Sequence, residues 1–361
     1  MTSGGRQPGA GAGRIAPPPF LAGYAALAEP RIAAFLDARA SDAARLPVDL
    51  RTAFSALREY VVRGGKRLRG ALVMLGCEAA GGERDWALDA SVGMELLHAY
   101  LLVHDDFMDR DEVRRGGPTV HATLTRATGS AHLGASLAVL LGSLCEAWAL
   151  ELVLGAPVPA ERAAAAGKLL ARALQDVTVG QMQDVSAALG RDLSASDVLA
   201  VQRMKTGGYS FELPLRLGAV LAGASEAVLQ ALEQFARPLG QAFQIADDLL
   251  GTFGSPEVTG KPNASDLREG KRTLLVARAL EAADPRDAAL LRAGLGKPDL
   301  GEAEAAALRE ALVRSGAVQS CRDDAERLRA EAVRALGDAP FPAGVAQALR
   351  DIAEYSVRRA A

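Results

Sequence analysis

Cysteine is scarce in this sequence. Cys77, Cys145 and Cys321 are odd in number, widely separated and form no CxxC pair. That pattern excludes a disulfide framework and a thiolate zinc site, and leads us to expect reduced thiols in a cytoplasmic protein. Aromatic residues make up only 4% of the 361, so leucine, alanine and valine must build most of the core. Neither sign of charge dominates: the net charge of −3 removes any global argument for a nucleic-acid partner. No basic segment followed by an apolar one opens the chain, so no secretory signal is expected. Long hydrophobic runs are also missing. The most apolar stretch, Leu133 to Cys145, contains Gly134, Ser136, Gly142 and Ser143 and stops at Glu146. It is too short to span a bilayer and reads as a buried helix. No run alternates with period two, so a sheet is not expected, and no repeat of solenoid length is visible. There is no GxxxxGK[ST], which disfavours an ordinary ATPase or GTPase.

What remains is helical. Residues 1–19 are rich in glycine, proline and alanine and are expected to form a disordered tail. From about Phe20 to residue 361 the pattern predicts a single all-α domain of mostly antiparallel helices. Its 49% hydrophobic content is ordinary for a globular core. Breaks are expected at Gly64-Gly65, Gly81-Gly82, Gly116-Gly117-Pro118, Gly155-Ala156-Pro157, Gly207-Gly208 and the loop from Gly254 to Gly270.

Three predicted helices carry a seam that begins apolar and turns polar. Met94, His98, Leu101, Asp105 and Asp109 share one face, as do Leu170, Leu174, Val177, Gln181 and Asp184, and so do Gly240, Gln244, Asp247 and Gly251, with Asp248 alongside. Acids on an inward seam cost several kcal/mol unless compensated. Three such seams suggest a shared polar cavity at one end of a bundle, a common place for a metal site.

The first acidic cluster is DDFMD: Asp105, Asp106 and Asp109. On a helix, Asp105 and Asp109 stack about 6 Å apart at Cβ and repel unless a cation lies between them. Mg²⁺ suits the position, because it prefers oxygen and is usually held by one or two carboxylates plus substrate phosphates. A lone DDxxD is a short pattern that recurs by chance and also fits a solvated helix turn. The second cluster, Asp247-Asp248, lies in the other half of the chain, and two such clusters on apolar seams are hard to explain as surface charge.

Cations beside glycines accompany them: Lys66, Arg67 and Arg69 after Gly64-Gly65, Arg114-Arg115 before Gly116, Lys205-Thr206 before Gly207-Gly208, and Lys261 and Lys271 after Gly260 and Gly270. Each alone reads as a surface charge near a turn. Together, with arginine forks, lysine point charges and close backbone approach, they suit two anionic diphosphates.

The segments GGKRLR, ELLHAYLLVHDDFMDRDEVRRGGPTVH, GQMQD, KTGGYSFELPL and FQIADDLLGTFGSPEVTGKPNASDLREGK resemble the trans-isoprenyl diphosphate synthases in order and spacing. The resemblance covers roughly residues 50 to 290. It implies an all-α fold around a deep central cavity, usually as a homodimer, with isopentenyl diphosphate and C5–C15 allylic diphosphates as substrates and three Mg²⁺ ions per active site. By motif match Asp105 and Asp109 would ligate Mg²⁺ with Asp106 in support, and Asp247 would do so with Asp248 near it. Arg114, Lys205 and Lys261 would hold the allylic diphosphate, with Thr206, Gln244 and Lys271 nearby. Lys66, Arg67, His98 and Arg115 would hold isopentenyl diphosphate. Gln181 and Asp184 match polar groups lining the same cavity. The second motif departs from the family at Gly251, where many members carry a third Asp.

Product length should be set below the first cluster. Tyr100 and Leu101, five and four residues before Asp105, sit roughly 6–8 Å down the helix at about 1.5 Å per residue, and Leu97 lies a further turn down. An aromatic at the fifth position, without the two-residue insertion of bacterial farnesyl enzymes, resembles geranylgeranyl (C20) synthases, with farnesyl (C15) as the alternative. Two rivals are a class I terpene cyclase, which needs no site for isopentenyl diphosphate, and a partner subunit of a heteromeric synthase, which tends to lose the acids. GGKRLR and RRG disfavour the first and the five aspartates the second, although Gly251 leaves it open.

Overall fold

A computed structural model of the chain describes residues 16–45, 50–187, 194–254, 265–297 and 299–358. Its framework is helical. The elements in order are α1 (Pro19–Ala43), α2 (Arg51–Val62), α3 (Leu68–Ala79), α4 (Arg84–Met108), α5 (Val120–Thr128), α6 (Ala131–Leu154), α7 (Ala160–Ala187), α8 (Ala195–Gln202), a π-helix (Arg203–Glu212), α9 (Leu213–Ala222) and α10 (Glu226–Phe253). Smaller helices follow: α11 (Ser265–Glu269), α12 (Leu274–Ala282), α13 (Pro285–Gly294), α14 (Glu302–Arg314), α15 (Ala317–Ala335) and α16 (Ala343–Arg358). Among the described residues the strand content is one short antiparallel ladder, β1 (Val113–Arg114) on β2 (Gly117–Pro118). It closes the turn after α4. Residues 1–15 of the expected tail lie outside the description, and α1 already begins at Pro19, where a fixed φ suits the first helical turn.

Helix α3 is the hub. Ten of its twelve residues are buried, as expected of a helix apolar all round. It crosses α9 with almost no space between backbones: a Cβ on Gly76 would lie 2.0 Å from the Leu215 carbonyl oxygen, and one on Gly218 would lie 1.8 Å from that of Val73. On either side of this crossing, apolar side chains form two cores. One unites α1, α2, α4, α6 and α7 through residues such as Leu57, Leu96, Leu97 and Leu170. The other unites α10 with the C-terminal helices through Phe211, Phe235, Leu275 and Ile352. Helix α4 belongs to the first core and α10 to the second, and the C-terminal ends of both carry the acids.

Two expectations needed correction. Gly207-Gly208 does not interrupt the chain; the π-helix carries it from α8 straight into α9. Its wider turns accommodate the glycine pair, and such segments often mark functional sites. The apolar stretch around Leu133–Cys145 is neither short nor buried all round. Helix α6 runs from Ala131 to Leu154, long and apolar enough by composition to cross a membrane. Leu133, Leu140, Leu144, Leu150 and Leu154 remain exposed along it. Glu146 did not end the helix, because glutamate is a good helix former.

Candidate active site

The acids lie where the helix dipole works against them. Asp105 and Asp106 end α4 and Asp109 caps it; Asp247 and Asp248 fall in the last two turns of α10. A helix C-terminus is already electronegative, so both clusters need positive partners. The protein supplies several. Asp105 accepts a hydrogen bond from Gln181 Nε2 at 2.8 Å. Lys271 Nζ lies 3.5 Å from Asp109 Oδ2 and 3.8 Å from Asp266 Oδ1, and so ties the first cluster to the neighbourhood of the second. Burial alone would lower the Lys271 pKa, but Asp266, Glu269 and Asp109 outweigh it and hold the ammonium well above its ordinary value.

The five predicted metal ligands fall into two groups. Asp106 is 1% exposed and its carboxylate is committed internally. It accepts from the Tyr60 hydroxyl at 2.6 Å and from Arg114 Nε. Burial raises its pKa, against the pull of Arg114 and Tyr60. Asp106 therefore positions Arg114. Asp248 is likewise buried and clamped by two amides, Gln202 Nε2 at 2.6 Å and Gln244 Nε2 at 2.7 Å. Burial pushes it to about 8, and pushes the adjacent Asp247 up as well. Asp105, Asp109 and Asp247 are the more accessible three.

Two turns before Asp105 on α4, positive charge gathers around His98. Burial, followed by the charges of Arg69, Arg115, Arg114 and Arg67, holds its imidazole well below the ordinary range. Arg69 Nη1 is 3.2 Å from His98 Nε2, and the Tyr209 hydroxyl is 3.1 Å from Nδ1. Arg69 also donates to Ser210 Oγ at 2.8 Å and lies 4.5 Å from the centre of the Tyr209 ring. Its Nε is buried with no hydrogen-bond partner among the described residues. A neutral histidine ringed by guanidiniums, one with an unused donor, is suited to an anion. Arg115 donates to the Gly64 carbonyl, and Lys66 is exposed at the rim, 6.0 Å from the Phe243 ring.

Arg67 reaches His98 by its charge, but its polar contacts lie elsewhere. It precedes α3 with φ +48° and turns inward, 4% exposed. Its Nη2 donates to the Val61 carbonyl, and its guanidinium pairs with Glu95 at 3.6 Å and Glu29 at 3.7 Å. The residue beside His98 is Arg69, in the first turn of α3. Sequence reasoning counted Arg69 among the cations that suit the diphosphates but gave it no place at either one, and it assigned no role to Tyr209, Ser210, Gln202 or Asp266. A usable signal for Arg67 was Glu95, a buried acid within a helical run that must find a buried cation. The side chains of Lys205 and Thr206 and the whole of Lys261 lie outside the described residues.

The donor set fits a hard divalent cation, since it offers only carboxylate oxygens at the acidic end. Among the described residues no three Asp, Glu, His or Cys side chains converge on one point. Isolated carboxylates on two helices suit a cation whose remaining ligands are phosphate oxygens and water.

The polyprenyl synthetase family model matches residues 51–312. The chain belongs to the polyprenyl synthetase family. It is a trans-prenyl diphosphate synthase and hence a prenyltransferase, of a family that uses a divalent metal. The geranylgeranyl diphosphate synthase of Sulfolobus acidocaldarius is 31% identical, over 86% of this chain and 92% of that enzyme. The (2E,6E)-farnesyl diphosphate synthase of Mycobacterium tuberculosis is 35% identical, over 82% and 80%. Among solved structures, the geranylgeranyl pyrophosphate synthase of Corynebacterium glutamicum, complexed with isoprenyl diphosphate and magnesium, superposes with a TM-score of 0.89 at 33% identity, covering 94% of this chain and 99% of that one. The synthase scaffold thus explains the inward acids, and the cyclase reading falls away.

Proposed function

We propose that this synthase condenses an allylic diphosphate with isopentenyl diphosphate to geranylgeranyl diphosphate, with Mg²⁺ as cofactor. The observation that carries the reading is the combination of an arginine-ringed neutral His98 with two acidic helix ends linked through Lys271. Asp105, Asp109 and Asp247 hold the metal, taken as three ions. Arg114, Lys205 and Lys261 hold the allylic diphosphate, with Thr206, Gln244 and Lys271 beside them. Lys66, Arg69, His98 and Arg115 hold isopentenyl diphosphate, Arg69 taking the role first given to Arg67. When bound, Mg²⁺ offsets the negative charge that grows on the departing diphosphate. The C1–oxygen bond of the allylic substrate breaks with its electron pair leaving on the diphosphate. The isopentenyl double bond then attacks C1, and the released diphosphate takes the proton lost from the adduct. The buried cations fix both substrates before this step, which lowers its entropic cost.

The C20 assignment rests on α4. Leu101 and Leu97 lie beneath Asp105 on its seam, Leu101 half-buried and Leu97 buried. Tyr100 points toward α6 and α7: its ring meets His104 at 4.7 Å and its hydroxyl hydrogen-bonds Thr178. Thr178 lines a groove of about 760 Å³ between α6 and α7 with Glu146 and Leu174. In this reading Tyr100, held by Thr178 beside that groove, is the floor that stops the growing chain. Replacing Tyr100 by Ala is expected to shift the dephosphorylated products, sized by chromatography, to C25 and longer; an unchanged C20 product would remove Tyr100 as the floor.

A homodimer is part of the proposal. Leu133, Leu140, Leu144 and Leu154 on α6 and Val179, Met182 and Val185 on α7 form an exposed apolar face, with Met182 64% and Leu140 61% exposed. The α6 set recurs at heptad-like spacing, which suits a helix of a second copy. Light scattering is expected to give the mass of two chains, and Leu140→Glu with Met182→Glu is expected to reduce it to one. Cys77, Cys145 and Cys321 are all buried and unbonded, which supports a reducing, cytoplasmic setting.

A further inference from the structure

Hairpin β1–β2 carries Arg114 and Arg115, yet little in its own sequence holds it. Each strand is two residues long, too short to be stable alone. The two-residue turn between them, Arg115-Gly116, has φ +52° and +72°. Left-handed backbone suits Gly116 but disfavours Arg115. The support comes from the end of α2. Arg63 is the C-cap of that helix. Its Nη1 donates to the Arg114 carbonyl at 3.2 Å and to the Pro118 carbonyl at 2.9 Å, one on each strand. Its guanidinium also fills the space that a side chain at position 117 would take: a Cβ on Gly117 would lie 2.5 Å from Arg63 Nε. The next two residues complete the dock. The Gly64 carbonyl accepts from Arg115, and a Cβ on Gly65 would lie 2.9 Å from Arg115 Cζ. Arg114 is held in turn by Asp106, which accepts from Tyr60 of α2.

We propose that Arg63 is a positioning residue for the condensation. It fastens the hairpin to α2 and so sets Arg114 and Arg115, and through them the spacing of the two diphosphates. Gly117 is the position that admits its guanidinium. The inference rests on the reading that Arg114 holds the allylic diphosphate and Arg115 isopentenyl diphosphate. Arg63 acts only through the hairpin, because its Nη1 is spent on two backbone carbonyls. Without it the hairpin samples other positions. Each diphosphate must then select the competent one, and binding weakens by the fraction lost. One anchor serves both arginines, so both substrates weaken together. A residue that touched a single diphosphate would affect that one alone.

The test compares Arg63→Met, Gly117→Ala and the double variant with the wild-type full-length protein. Arg63→Met is expected to raise KM for the C15 allylic diphosphate and for isopentenyl diphosphate together, each by about 10-fold, the scale of one lost hydrogen bond from a charged group. The value of kcat should fall less, because saturating diphosphates select the competent hairpin. Gly117 is not left-handed, so Gly117→Ala strains no backbone; its Cβ pushes the guanidinium aside and should give the same pattern. The double variant should be no worse than Arg63→Met, because both changes remove one interaction. Amide hydrogen exchange followed by mass spectrometry gives a readout independent of turnover. Residues 112–119 should exchange faster in each variant while the long helices keep their protection. A KM raised for one substrate only or for neither, a double variant that multiplies the single effects, or unchanged exchange over 112–119 would each overturn the inference. Should Arg63→Met fail to fold, Gly117→Ala carries both the paired rise in KM and the exchange measurement. A wild-type protein that makes no product with any starter would instead remove the synthase reading, and the exchange measurement would still decide whether Arg63 holds the hairpin.

Discussion

Asp105→Ala and Asp247→Ala are each expected to slow turnover by about 10²–10³-fold or more while leaving the helical circular dichroism and the melting temperature near wild type. These carboxylates end two different helices at the negative pole of each dipole. Asp105 accepts a hydrogen bond from Gln181, but each acid also sits against an electronegative helix end, so its removal should cost the metal-free protein little stability. Asp106→Ala should behave differently. Both of its oxygens are in use, one on Tyr60 and one on Arg114, so its loss should release Arg114 and destabilise the fold. Truncating one partner of such a buried charged pair costs about 3–5 kcal/mol. Steady-state turnover and thermal melts on the three variants separate the roles. Near-normal turnover in Asp105→Ala or Asp247→Ala would remove that residue from the metal site.

A second large contrast separates the two arginines of GGKRLR. Arg69→Met is expected to raise KM for isopentenyl diphosphate by about 10–100-fold, the worth of one or two charged hydrogen bonds, with little change for the allylic substrate or in stability. Arg67→Met should instead unfold the protein at a lower temperature. It strands Glu95, which is 4% exposed and, among the described residues, otherwise accepts only from the Gly70 N–H. The two profiles exchanged, with Arg67→Met binding poorly and Arg69→Met melting early, would show that the orientation of this turn is misread.

Much of the site was legible because helical periodicity and charge sufficed. The seam through His98, Leu101, Asp105 and Asp109, and that through Gln244 and Asp247, were read from spacing and converge in the fold. What spacing could not yield was direction. Lys66, Arg67 and Arg69 stand within four residues of one another at the start of a helix, and a single left-handed residue at Arg67 decides which guanidinium faces the cavity. The acids of each DD pair are likewise one residue apart, about 100° around the helix. One meets the cavity while the other, Asp106 or Asp248, meets a buried donor. Helix α6 was misjudged because an apolar run was assumed to be buried by its own chain, whereas one side of the helix is exposed. The place of Arg63 against Gly117 joins a helix end to a hairpin, and a pattern read along the chain does not contain such a contact.

The most direct test of the central claim is incorporation of labelled isopentenyl diphosphate by the purified wild-type protein, offered with C5, C10 and C15 allylic diphosphates in the presence of Mg²⁺. The account predicts a labelled C20 prenyl diphosphate, with one inorganic diphosphate released per condensation and all incorporation abolished by EDTA. A folded protein that incorporates no label with any starter, or incorporates it equally well without a divalent cation, would contradict it.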